Sequence, residues 1–194
     1  SIEKPPPRSI PVFGTLEMIF ARLQPIFEQH GFSTDTSGKM PTNLRGAQMA
    51  VVTAHGQLTK EARYIHRITD EQELAESPAA LARALRDVEL VILFVCSGGR
   101  VDRHPLSNTA VSLPKMLLDY GCRTVIASPW PLAAVVTGNW LERFMEEWEA
   151  GASALDANFK ANQHVRERLG PEPQYSLAMT VYGDLMLRKK HIYT

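Results

Sequence analysis

The sequence predicts an α/β fold built on a mostly parallel sheet with helices on both faces, and three observations carry that prediction. Short runs such as Met49-Ala-Val-Val-Thr-Ala54, Leu90-Val-Ile-Leu-Phe-Val95 and Thr124-Val-Ile-Ala127 are apolar and rich in β-branched residues on both alternating faces, as strands buried on two sides must be. Between the runs lie stretches with helical spacing of apolar residues. Parallel strands need long crossovers, and helices supply them while covering the sheet.

Taken in order, Ile10 to Phe13 is a thin candidate for a first strand. Leu16, Ile19, Phe20, Leu23, Ile26 and Phe27 then fall at helical spacing, with Thr15 as N-cap, Gly31 as stop and Pro25 as an expected kink. Phe32 to Thr34 is a thin second strand, followed by a polar loop. The run from Met49 ends at His55-Gly56, and Arg63 to Ile68 reads as a short accessory strand. Ser77-Pro78 opens a helix through Leu81 and Leu85. The run from Leu90 is followed directly by Cys96-Ser97-Gly98-Gly99 and a polar loop. Ser112 caps a helix over Leu113 to Tyr120 that Gly121 ends, and the run from Thr124 comes next. Helices are expected from Val135 to Ala150 and from Leu155 to Leu169, and a last strand from Leu177 to Tyr182.

The 194 residues carry 21 Lys and Arg against 21 Asp and Glu, so no whole-chain field draws the protein toward nucleic acid or an anionic membrane. Two cysteines, Cys96 and Cys122, cannot build a disulfide framework, and this usage suits a reducing, cytoplasmic setting. No apolar run reaches the length of a membrane helix. Residues 1–12, with Pro5, Pro6 and Pro7, are expected to form a lead-in from an upstream region, and residues 13–194 one globular domain.

In an open parallel sheet, ligands bind outside the carboxyl ends of the strands. His55 and Cys96 are both read there, each on the residue that closes a buried run. Neighbouring strands lie about 4.8 Å apart, close enough for an imidazole to meet a thiol. A free thiol is only a few per cent ionised at neutral pH, and an imidazole that takes its proton turns it into a nucleophile. Gly56, Gly98 and Gly99 remove bulk where a substrate backbone must approach, and free amides there can face a developing oxyanion. Taken singly, a cysteine closing a strand is also a packing residue, and a histidine before glycine also a turn residue. Trp130 is equally readable as a rim of the substrate groove or as core.

The segments VVTAHG at Val51 to Gly56, LVILFVCSGG at Leu90 to Gly99, LLDYGCRTVIASPWP at Leu117 to Pro131 and VYGD at Val181 to Asp184 resemble the CHAT domain, a caspase-like cysteine peptidase domain related to separase. The resemblance runs from about Met49 to Asp184. It implies a caspase-like three-layer α/β/α sandwich and a cysteine endopeptidase acting through a thioester. His55 would be general base and acid, Cys96 the nucleophile, and the backbone N–H groups of Gly56 and Cys96 the oxyanion hole. Ser97, Gly98, Trp130 and Ala133 would contact substrate, with no metal or organic cofactor. Partners would be a protein substrate, an upstream tetratricopeptide-repeat or sensor region and an activating complex, as in bacterial CRISPR-associated and other antiphage systems.

One departure bears on specificity. Related sequences commonly carry acidic residues just after the Trp-Pro or Trp-Asp pair, where they read a basic side chain before the cut. Here that stretch is Leu132-Ala133-Ala134-Val135-Val136, without a carboxylate. A desolvated Arg or Lys would lack a partner there, so the residue before the cut is expected to be apolar or small. Asp102, beyond Cys96, is the nearby acid that a basic preference would need, and reads more simply as a solvated loop residue. His66 and His104 end no buried run, and Cys122, ahead of the strand from Thr124, reads as packing. Trp140 and Trp148 belong to an apolar helical stripe. Two other readings compete: a catalytically silent caspase-like docking module, and a nucleotide binder using Ser97-Gly98-Gly99, which lacks the longer spacing of phosphate loops.

Overall fold

The computed structural model describes residues 9–11, 17–35, 44, 47–58, 64–67, 75–76, 78–95, 101–103 and 110–190. The elements, in chain order, are β1 (Ser9–Pro11), α1 (Glu17–Gln29), β2 (Ser33–Asp35), β3 (Met49–Leu58), β4 (Tyr64–Arg67), β5 (Ala75–Glu76), α2 (Pro78–Ala84), β6 (Leu90–Val95), β7 (Val101–Arg103), β8 (Ala110–Ser112), α3 (Leu113–Asp119), β9 (Thr124–Ala127), α4 (Ala134–Glu149), α5 (Ala154–Leu169), α6 (Pro173–Ser176) and β10 (Thr180–Gly183). The main sheet has the order β10-β9-β6-β3-β1-β2. Its pairings are parallel except for β10, which runs antiparallel to β9. Strand β1 falls within the stretch expected as lead-in, and it pairs with both β2 and β3.

Alternation along the central strands sorts their side chains into two cores. Met49, Val51, Leu90, Ile92, Phe94 and Ile126 pack under α1, α4 and α5, while Ala50, Val52, Val91, Leu93, Val95, Val125 and Ala127 pack under α2 and α3. Every residue of β6 is buried, which is why its sequence shows no polar face. Helix α1 continues unbroken past Pro25 to Gln29, and Gly31 comes after it at φ +66°. Ser112 caps α3 by accepting from the Lys115 amide. The glycine of VYGD is fixed by crowding and conformation together. Gly183 has φ +91°, and a Cβ there would lie 2.4 Å from the Arg123 carbonyl oxygen.

An aromatic column fills the larger core. The Trp140 ring meets Phe94 edge-on at 6.0 Å and stacks on Phe144 at 4.7 Å, and Phe144 stacks on Trp148. Burying the indole leaves one donor to satisfy, and Trp140 Nε1 donates to Asn162 Oδ1. Asn162 in turn binds the Met179 main chain, accepting from its N–H and donating to its carbonyl. This side-chain bracket occupies the main chain of Met179, and the last strand starts at Thr180 rather than at Leu177.

Cys122 is buried between α2 and α3, and its Sγ donates to the Leu85 carbonyl at 3.2 Å. Burial pushes its thiol up to about 12, chiefly by desolvating the thiolate.

This packing predicts two outcomes. Trp140→Ala is expected to lower unfolding stability by about 3–5 kcal/mol, the cost of an emptied aromatic site, whereas Phe159→Ala, 56% exposed, stays within about 0.5 kcal/mol by denaturant titration. The Cys122 thiol has a higher pKa folded than the ordinary 9.0 of the unfolded chain, so its contribution is complete below pH 9 and is lost as pH rises toward 12. Stability measured from pH 8 to 11 should therefore fall less steeply in Cys122→Ala than in the wild type; equal slopes would contradict the assignment.

Candidate active site

Strands β3 and β6 lie side by side and parallel, with Met49 opposite Leu90 and each subsequent pair in step up to Ala54 opposite Val95. The next residue on β3 is His55. The next residue in the chain after Val95 is Cys96, which, with Ser97, Gly98 and Gly99, lies outside the described residues. The adjacency that the sequence left open, β3 beside β6, is thus present, and in register.

The structure corrects the reading of His55 as the residue that closes its strand. Strand β3 continues to Leu58, and over its last four residues it pairs antiparallel with β4, with His55 opposite Arg67, Gly56 opposite His66 and Leu58 opposite Tyr64. His55 therefore opens the β3–β4 arm, one residue past the last described pair of β3 with β6. The reading of a histidine before glycine as a turn residue does not hold, since His55 and Gly56 both lie within extended β3 and pair with β4. His66, set aside as an ordinary histidine, is the register partner of Gly56, and β4 in turn pairs with β5. The polar loop expected after Cys96 contains a two-stranded ribbon, with Asp102 on β7 opposite Val111 on β8. His104 lies outside the described residues.

Strand β9 ends at Ala127 opposite Leu93, so β6 runs two residues farther toward the carboxyl edge. The loop after β9 folds back at that edge around Ser128. Its Oγ, buried, accepts from the Trp130 amide and donates to the Trp130 carbonyl, each at 3.1 Å. Trp130 is 37% exposed and its Nε1 donates to the Leu177 carbonyl at 3.2 Å. With its single donor engaged, the indole offers only apolar surface to anything that meets it. Leu177 itself is 58% exposed, and Ala133, also exposed, is the N-cap residue of α4. Trp130 is thus an edge residue and not core, while Trp140 and Trp148 are core as read. Ser128 and Leu177 had no sequence signal of their own: one is a lone hydroxyl in a Pro-rich turn, the other an apolar residue assigned to a strand.

Among the described residues no three His, Cys, Asp or Glu side chains gather as a metal site. A small cavity lined by Gln48, Met49, Glu89, Trp148 and Lys189 lies at the amino ends of β3 and β6, the opposite edge from His55. No described helix is long and apolar enough to cross a membrane.

Known proteins share this architecture. The Saccharomyces cerevisiae separase–securin complex superposes with a TM-score of 0.62 at 12% identity, over 92% of this chain and 12% of the matched chain. The Arg-specific cysteine proteinase gingipain R does so with a TM-score of 0.61 at 13% identity, over 93% of this chain and 46% of its own. The chain thus spans less than half of either protein, and at these identities the likeness is one of fold: a caspase-like α/β/α sandwich. No protein of curated function matches the chain by sequence. The sequence profile of the CHAT domain matches residues 31–180, from the end of α1 to the start of β10, and the chain belongs to the CHAT domain family.

Proposed function

We propose that this domain is a cysteine endopeptidase in which His55 and Cys96 form the catalytic dyad. The observation that carries the reading is the parallel register of β3 and β6, which aligns the residues immediately before the two groups, Ala54 and Val95, within a caspase-like fold. Extending that ladder by one step makes positions 55 and 96 neighbours across about 4.8 Å.

In this mechanism the imidazole of His55 takes the Cys96 proton, and the sulfur attacks the scissile carbonyl carbon. The carbonyl π electrons move onto oxygen, where the backbone N–H groups of Gly56 and Cys96 receive the charge. Collapse breaks the C–N bond, and the imidazolium returns its proton to the leaving amine. Water, deprotonated by the same imidazole, adds to the thioester and releases the acid and the thiol. Ser97, Gly98, Trp130 and Ala133 would border the substrate. No step calls for a metal or an organic cofactor.

The residue before the cut is apolar or small on this account. The stretch 132–136 offers no carboxylate, Ala133 is exposed, and the Trp130 indole has spent its donor on Leu177. The family resemblance further supports a cytoplasmic role in bacterial antiphage defence, CRISPR-associated or other, with an upstream tetratricopeptide-repeat or sensor region and an activating complex switching the protease on.

Two experiments test the reading. With the intact protein and its activating complex, Cys96→Ala and His55→Ala should each lower cleavage of a protein substrate by about a thousandfold or more; cleavage unchanged in Cys96→Ala would remove the thiol from the mechanism. A peptide library should be cut after residues such as Ala, Leu or Met, and Ala133→Asp should shift the preference toward Lys and Arg. Wild-type cleavage chiefly after Arg or Lys would overturn the specificity assignment.

A further inference from the structure

Thr53 is the polar exception in the buried length of β3. It is 0% exposed, and among the described residues nothing hydrogen-bonds its Oγ1. A dry, unpaired hydroxyl is costly, and valine would fill the same space without that cost and with an equal taste for a strand. The location gives the hydroxyl a use. Met49 and Val51 pack under α1, α4 and α5, Thr53 is the next position of that alternation, opposite Phe94, and position 55 is the one after it. Residues two apart on a strand share a face at about 6.6 Å, within the combined reach of a threonine hydroxyl and an imidazole.

We propose that Thr53 is a positioning residue for His55: in the catalytically competent arrangement its Oγ1 accepts a hydrogen bond from one imidazole N–H, leaving the other ring nitrogen free to take the Cys96 proton. The inference rests on the Cys96–His55 dyad proposed for this domain. A histidine that shuttles protons needs one tautomer and one ring orientation, and a fixed acceptor on the far nitrogen supplies both. The same acceptor stabilises the imidazolium, on which both nitrogens are donors. The other charged or titratable groups by register around position 55 are Arg67 and His66 on β4 and, beyond Val95, Cys96; none of them changes in the Thr53 variants.

The test compares the wild type with Thr53→Val and Thr53→Ser in the full chain. With the activating complex bound, the His55 imidazole of Thr53→Val followed by NMR should titrate at lower pH than that of the wild type, whereas in the resting chain, where Thr53 Oγ1 has no partner among the described residues, thermal stability should equal or exceed the wild type's. With the activating complex, cleavage should fall about 10- to 100-fold, the range for one hydrogen bond to a charged group, and a limb of the pH–rate profile should move to lower pH. Thr53→Ser should restore both the titration and the rate. An unchanged His55 titration in Thr53→Val overturns the proposal, as does a marked loss of stability, which would mean that the hydroxyl already has a partner in the folded chain. If cleavage depends on Cys96 while titration and rate ignore Thr53, the protease reading stands and the positioning role falls. If the titration moves but no cleavage depends on Cys96, the hydrogen bond stands and the protease reading falls.

Discussion

The parallel pairing of β3 with β6 is the constraint on which the rest of the structure depends. Six consecutive residue pairs hold the two strands in step, from Met49 with Leu90 to Ala54 with Val95. A slip of one residue would turn every side chain of one strand to the opposite face. Met49 and Val51 would then leave the aromatic core of α4, and Ala50 and Val52 would leave the smaller core of α2 and α3. Because both faces are buried, the register has no freedom. The proposed chemistry, which needs two groups from distant parts of the chain, draws on that packing-fixed register.

Around that pair, single polar groups fix the edges that packing leaves loose. Asn162 joins the Trp140 indole to the Met179 main chain, just before β10 begins. Ser128 closes the turn after β9, and the Leu177 carbonyl anchors the Trp130 ring. At the opposite edge, the Leu185 and Leu187 carbonyls accept from the first amides of α5, Arg123 pairs with Asp184 at 2.7 Å, and the Thr124 hydroxyl bonds the Asp184 carbonyl. The segment after VYGD thus ties the edge strand to α5. Buried polar groups satisfied in this way specify one arrangement among many of similar apolar content.

Much of this was legible in the sequence because the central strands are buried on both sides and the helices have one apolar stripe. The runs from Leu90 and Thr124 match β6 and β9, and the helices from Leu113, Val135 and Leu155 match α3, α4 and α5 to within a residue or so. What was not legible depended on partners. Gly56 and Gln57 carry no strand signal, so the extension of β3 to Leu58 emerges only once β4 lies against it. The β7–β8 ribbon is too short and polar to announce itself. Leu177 to Met179 have strand composition, but Met179 is bound by Asn162 and the Leu177 carbonyl by Trp130 instead. At the candidate site, residue types pointed to His55 and Cys96, and the register of their strands could come only from the fold. Single hydroxyls such as those of Thr53 and Ser128 have no period, and only burial distinguishes them.

Convergence of positions 55 and 96 at the carboxyl edge of one sheet is the claim on which the proposed chemistry turns. A crystal structure of the domain with a peptide aldehyde bonded to its nucleophile measures this directly. The aldehyde carbon is predicted on the Cys96 sulfur, with a ring nitrogen of His55 within about 4 Å of that sulfur or of the new oxyanion. An aldehyde on another residue, or a His55 ring on the far face of the sheet from the Cys96 sulfur, would contradict it.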